Sequence, residues 1–253
     1  GDVYKRQLLF GPGHYQKISE ENSDLTVTVV QPANLGLDGL IELTNKADSN
    51  IVVWPEASAW YTGNAFGTNK RIIGGFFRRE ESKTFTAVID ASNGEGYNKH
   101  NLVPFGEFQP FGDLLIGINS FFNIPNSRIS RGAFVQDKLN WSGLVCWELV
   151  FNKTFIERAK GTEFIVHVSN DSWYGSSMPA QHLKHARARS VESNKWVVRS
   201  TTDGLSQIIS PQYEQSSKLL KRKEYGSITH TIKTNTDDTL SLIHISEPTR
   251  HES

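Results

Sequence analysis

"GLVCWELVF", Gly143–Phe151, decides how the chain is read. The run opens as a buried-type strand and then meets the chain's only cysteine, Cys146, with Glu148 two positions later. A lone cysteine in an apolar strand is ordinarily packing, because a thiol behaves as a small hydrophobe. A cysteine where a strand gives way to a helix has a second use, since loops at strand ends carry much of the chemistry of α/β proteins. The helix is expected at about Lys153 to Lys160.

Working outward, other segments repeat this alternation. "LTVTVVQPAN" (Leu25 to Asn34) is rich in β-branched residues and ends at Pro32, so it reads as a strand and a loop. A short helix is expected over Gly39 to Lys46, then a strand in "NIVVWPEAS" stopped by Pro55, with Glu56 just past its end. "RIIGGFFRR" and "TFTAVID" read as strands. "YNKHNLVPFGEFQPFG" has no helical period and reads as strand edge and loop. "EFIVHVSNDSWYG" is a strand running into a polar loop, "PAQHLKHARARSVESNK" a helix with Pro179 in its first turn. "WVVRSTTDGLSQIISPQ" holds two strands about an Asp-Gly turn. "GSITHTIKT" is a last strand. Interleaved strands and helices without internal repeats give an α/β or layered α+β class.

Composition narrows the function. The 253 residues carry 27 Lys plus Arg and 27 Asp plus Glu, a formal net charge of zero, which argues against a general nucleic-acid binder. Apolar content of 37% suits a globular body. One cysteine forms neither an internal disulfide nor a thiolate metal cage. No run approaches the roughly 20 apolar residues of a membrane span, and no signal peptide is visible.

The two ends read as foreign. GAT GTG TAT AAG AGA CAG translates as DVYKRQ, and its reverse complement as LSLIHI, Leu240 to Ile245. Coding of both ends by opposite strands of one string resembles a transposon-end adapter from DNA library preparation. Residues 1–7 and 240–253 are therefore set aside as adapter-derived, leaving 8–239 as one domain, cut from a longer gene.

Three side chains stand at strand ends with complementary chemistry: Glu56, Lys99 and Cys146. A thiolate is the nucleophile, while a free thiol with a pKa of about 8.5 is mostly protonated at neutral pH. A carboxylate beside it can take the proton as sulfur attacks a carbonyl. A lysine can meet the oxyanion that results. Together they suffice for acyl transfer through a thioester without a metal or cofactor. Each alone has a plainer reading, as core, loop or surface, and spacing does not bring them together.

"WPEAS", "YNKHNLVPFGEFQPF" and "GLVCWELVF", in that order, resemble the nitrilase, or carbon–nitrogen hydrolase, superfamily. The resemblance spans about Leu25 to Thr234. It implies a four-layer α-β-β-α sandwich, with Glu56 as general base, Lys99 as oxyanion donor, Cys146 as nucleophile and Glu107 of "PFGE" as a second, supporting glutamate. The segment from "SNDSWYG" to "IISPQ" is similar to the apolipoprotein N-acyltransferase branch. That likeness implies transfer of an acyl chain from a phospholipid, through the cysteine, to the N-terminal amine of a diacylglyceryl-cysteine apolipoprotein. It also implies a catalytic domain on the periplasmic side of the bacterial inner membrane, flanked by membrane segments, with Trp147, Glu148, Asn170 and Trp173 at the substrate. Trp147 departs from the tyrosine usual in that branch, "NKWVV" replaces an Arg-Pro pair, and the stretch between Glu56 and Lys99 is short. A soluble carbon–nitrogen hydrolase using the same residues, and an inactive scaffold, are the rivals; retention of all four reactive residues argues against the scaffold.

Three further features carry expectations. His167, His182 and His185 do not by themselves make a metal site, which needs more ligands in convergent geometry, and are read as packing and surface residues. Phe111 to Pro125 is apolar, too short to span a bilayer, and expected as a membrane-dipping flap that admits an acyl chain. "KLLKRKE" (Lys218 to Glu224) is a solvated basic connection, placed near lipid head groups.

Overall fold

The computed structural model describes residues 23–63, 66–104, 107, 129–137, 139–173, 175 and 177–244. The expected flap, Phe111 to Pro125, lies outside the described residues.

Two sheets carry the fold. The first has six strands in the order β10-β1-β2-β3-β4-β5, formed by Gly226–Lys233 (β10), Asp24–Gln31 (β1), Ile51–Trp60 (β2), Arg71–Glu80 (β3), Lys83–Asp90 (β4) and Gly96–Asn98 (β5). The second has four, in the order β6-β7-β8-β9: Trp141–Val145 (β6), Phe164–Ser169 (β7), Val197–Thr201 (β8) and Gln207–Ile209 (β9). The strands β1, β2 and β3 run parallel, as do β6, β7 and β8, with β6 a parallel edge; β10, β4, β5 and β9 pair antiparallel with their neighbours.

Period-two alternation explains the layers. Val27 and Val29 of β1, Val53 of β2, Val88 of β4, Val145 of β6, Val166 and Val168 of β7 and Val198 of β8 join one apolar cluster, so the sheets pack face to face. Val30, Val52 and Ile72 point the other way, against Leu40 and Leu43 of helix α1 (Gly36–Asn45). On the far side, Leu144, Ile165 and Val197 meet Phe155 of α2 (Asn152–Ala159) and Leu183 and Ala186 of α3 (Met178–Ser193). The order is helix, sheet, sheet, helix, the expected sandwich. Each fully buried Val, Leu or Ile contributes about 1.5–3 kcal/mol.

One strand boundary differs from expectation. Strand β2 does not stop at Pro55: it runs to Trp60, and only its ladder with β3 breaks, between Trp54 and Ala59. Proline removes one N–H without forcing the chain out of an extended course, so pairing lapses and resumes. Ala57 takes φ 56° inside this irregularity. The partner strand accommodates it with Gly75, where a Cβ would stand 2.5 Å from the Glu56 Cα and 2.7 Å from the Pro55 carbonyl. The stretch set aside at the C-terminal end is described as far as His244. Helix α4 (Leu240–His244) forms there, and Leu242 is buried in the cluster of Leu144 and Ile165. An apolar side chain collapses onto an open apolar surface whatever the origin of its codon.

The basic connection is tied down rather than loose: Leu220 bridges to Ser206, the Lys223 N–H donates to Asp203, and Arg222 stands 3.6 Å from the same carboxylate.

Candidate active site

Glu56, Lys99 and Cys146 come from three separate strands and meet at one end of the sandwich. Glu56 sits in the β2 irregularity, which turns its carboxylate inward; its Oε2 accepts the Asn170 N–H at 2.9 Å. Lys99 follows β5. Its backbone is clamped on both sides: its N–H donates to the Thr86 carbonyl at 2.8 Å, and its carbonyl accepts the Gly132 N–H at 2.8 Å. A side chain at Gly132 would collide with the Asn98 carbonyl, so the loop lies this close only because the residue is glycine. Lys99 is 1% exposed, and its ammonium lies 2.8 Å from Glu107 Oε1 and 3.4 Å from Glu56 Oε1. The other oxygen of Glu107 accepts the Val103 N–H at 2.8 Å.

Cys146 ends β6 and begins a 3₁₀ turn, Cys146–Val150. Its φ is 54°, in the left-handed region that a non-glycine residue occupies only when its surroundings impose it. The thiol is buried.

Electrostatics give the residues different states. Burial raises the Cys146 thiol, with the Glu56 carboxylate adding to it; Lys99 and the nearby Ser169 hydroxyl pull the other way, and the result is pushed up to about 12. The resting sulfur is therefore a thiol at neutral pH. Burial also raises Glu56, with Glu107 in support, against Lys99 and the Asn170 N–H. A carboxylate held above its ordinary range is a better proton acceptor. Burial works against the Lys99 charge, but Glu56, Cys146, Glu107 and Glu148 outweigh it and hold the ammonium protonated. The arrangement sets together a neutral thiol, a carboxylate with raised proton affinity and a fixed cation, groups that can serve as nucleophile, base and oxyanion partner.

Glu148, expected to touch substrate, is turned inward instead. It is fully buried, with Oε1 accepting the Tyr97 hydroxyl at 2.7 Å and the His100 and Asn101 N–H groups at 2.8 and 2.9 Å. Its Oε2 accepts the Val145 N–H at 3.1 Å. With its oxygens taken up by these four donors, it brackets the Lys99 loop to the Cys146 turn. Arg158 stacks its guanidinium 4.3 Å from the centre of the Tyr97 ring and backs this bracket. Trp147 is half-buried against His182, ring centres 4.6 Å apart. Asn170 serves Glu56 through its backbone, and its side chain accepts from Ser172. Trp173 lies in the 3₁₀ turn Asp171–Trp173; its side chain is outside the described residues.

Behind the cysteine lies a second polar cluster that the sequence reading did not single out as a site. Arg199 donates to Asp171 at 2.7 Å and to His167 at 2.7 Å, and Asp171 accepts from Ser169 and His182 at 2.7 and 3.0 Å. The signal was available: His167 and Arg199 each follow an apolar run at the start of their strands, and a charge buried in a strand must be paired. His185 is on the exposed side of α3 and does not join it.

The pattern of the family described as "Carbon-nitrogen hydrolase" matches residues 68–238. The chain belongs to this family. The matched stretch takes in Lys99, Glu107 and Cys146; Glu56 precedes it and joins them through the fold. Among solved structures, a mutant of the Nesterenkonia AN1 amidase from the nitrilase superfamily is similar at TM-score 0.59 and 14% identity, over 85% of this chain and 92% of that one. A carbon-nitrogen hydrolase from Helicobacter pylori G27 is similar at TM-score 0.58 and 13% identity, over 83% and 89%. These likenesses speak for the fold alone. Closer in sequence are curated proteins named apolipoprotein N-acyltransferase. That of Vibrio parahaemolyticus serotype O3:K6 is 37% identical, over 64% of this chain and 38% of the relative. That of Pseudomonas aeruginosa (strain LESB58) is 34% identical, over 65% and 37%. The chain thus spans well under half the length of these relatives. No helix among the described residues is long and apolar enough to cross a membrane.

Proposed function

We propose that this domain is the catalytic part of an apolipoprotein N-acyltransferase. In the first half-reaction Glu56 takes the Cys146 proton as sulfur attacks the ester carbonyl of a phospholipid. The Lys99 ammonium meets the oxyanion, and collapse expels the lysophospholipid alkoxide, which takes the proton back from Glu56. In the second, the α-amine of a diacylglyceryl-cysteine apolipoprotein attacks the thioester and loses a proton through Glu56, and the sulfur leaves to be reprotonated as Cys146. Glu107 holds Lys99 in place, and Trp147, Asn170 and Trp173 are the residues the reading gives to the acyl chain or acceptor. The expected location is the periplasmic side of the bacterial inner membrane.

One observation carries the reading: a buried lysine bridges two carboxylates beside a buried cysteine at the end of a neighbouring strand. The names of the closer relatives favour an amine over water as the acceptor. The test uses the full-length enzyme with phospholipid and no acceptor. An acyl adduct on Cys146 by mass spectrometry, discharged by a diacylglyceryl-cysteine peptide, is expected. An adduct elsewhere overturns the nucleophile, and steady release of free fatty acid without acceptor would make the enzyme a hydrolase.

A further inference from the structure

Cys146 is held in the left-handed backbone region, φ 54°, and something must hold it there. Its carbonyl lies 2.9 Å from Nε2 of His167, which is fully buried on the neighbouring strand β7. Register makes the contact: Leu144 pairs with His167, and His167 pairs with Arg199 of β8, so the three form a row across the sheet. Arg199 reaches along that row and donates from its guanidinium to His167 Nδ1 at 2.7 Å. A guanidinium has no lone pair to offer, so Nδ1 must be the bare, accepting nitrogen. The ring proton is then on Nε2, and the only direction open to that bond is donation into the Cys146 carbonyl. Arg199 is itself fixed, by Asp171 at 2.7 Å and by donation to the Leu205 carbonyl at 3.1 Å. Burial first, and Arg199 next, lower His167 well below the ordinary imidazole range, so the ring stays neutral with its tautomer set.

We propose that His167, locked as its Nε2–H tautomer by Arg199, is the positioning residue that holds Cys146 in its left-handed conformation and so aims the thiol at the acyl carbonyl. It does not touch substrate. Without the bond the turn relaxes toward ordinary φ, and the sulfur moves off the line between Glu56 and Lys99. Misplacement of about 1 Å costs on the order of 10²-fold in rate. The inference rests on Cys146 being the nucleophile proposed above.

The experiment compares His167→Leu with His167→Gln in the full-length enzyme. Gln carries an amide N–H at about the reach of Nε2; Leu carries none. His167→Leu is expected to lower the acylation kcat by roughly 10²-fold with KM for phospholipid nearly unchanged, and His167→Gln to restore most of it. Wild-type kcat in His167→Leu, or an equal loss in both variants, overturns the clamp. Where His167→Leu fails to fold, the ¹⁵N shifts of the unaltered enzyme decide: a protonated Nε2 with a bare Nδ1 on His167 supports the clamp, and a proton on Nδ1 overturns it. Absence of any Cys146 adduct in the unaltered enzyme sinks the nucleophile instead, a result distinct from either.

Discussion

Two buried polar clusters lie against the same cysteine and are built on opposite electrical plans. In front, Glu56 and Glu107 share one cation, Lys99, with Glu148 also acting on it, so negative charge is in excess. Behind, Arg199 faces Asp171 one to one, and the two histidines beside them are pushed toward neutrality, mainly by burial. The effect on the carboxylates is opposite. Glu56 is raised, first by burial and then by Glu107, which Lys99 only partly offsets; Asp171 is lowered, burial being outweighed by Arg199 and the His182 hydrogen bond. An unbalanced cluster can accept a proton at small cost and so suits proton transfer. A balanced one keeps its protons where they are and suits a scaffold. The contrast suits the front to the proposed proton transfer and the back to a scaffold.

The sharpest break in that contrast is Cys146→Ser, which should leave no measurable acyl adduct, since a hydroxyl is far harder to ionise than a thiol; adduct formation near the wild-type rate would move the nucleophile elsewhere. Glu56→Gln should be almost as severe for acylation, but with an opposite effect on simple thiol chemistry. Glu56 is one of the groups holding the thiol up at about 12, so its loss lets the thiolate form at lower pH. Alkylation by iodoacetamide should therefore begin at lower pH in Glu56→Gln than in the wild type, while lipid acylation is lost. With Glu56 as the proposed base, wild-type acylation needs its ionised form, so the rate should fall as pH drops through a pKa above the ordinary carboxylate range. A profile that stays flat down to the ordinary range would remove Glu56 as the base.

Asp171→Asn tests the rear cluster. It leaves the Arg199 charge buried without its partner, which typically costs about 3–5 kcal/mol, read as a fall in Tm of roughly 10 °C or more. An unchanged Tm would mean the pair is not the scaffold described. Lys99→Ala should slow acylation by about 10²–10³, the usual loss for one oxyanion donor, measured as single-turnover adduct formation. Gly75→Ala is the mildest: its methyl meets the Glu56 backbone, and overpacking costs about 1–3 kcal/mol. Its acylation rate should fall further than its Tm suggests, because the strain lands on the base.

Much of this was legible residue by residue. Alternating or continuous apolar runs give the strands, and Pro179 and the Asp-Gly pair mark a helix start and a turn, because periodicity and turn chemistry are local properties. The identities of Glu56, Lys99 and Cys146 were legible for the same reason: what a carboxylate, an ammonium or a thiol can do belongs to the group. Pro55 misled, because a proline's missing N–H is local but its effect depends on the neighbouring strand, and here the strand continues around it. Glu148, which the resemblance sets at the substrate, is folded by a 3₁₀ turn back onto four donors, an arrangement that no local stretch announces.

What the chain alone determined is therefore the set of elements and the reactive groups they carry. What only the tertiary structure decided is who meets whom. Lys99 and Glu56 are 43 residues apart, and Asn170 and Glu56 114. Their meeting depends on strand order and on two sheets closing face to face, a product of the whole core that no local stretch encodes. The same holds for the row from Leu144 through His167 to Arg199: each residue is visible in sequence, but the direction of the hydrogen bonds among them exists only once parallel pairing has fixed the register.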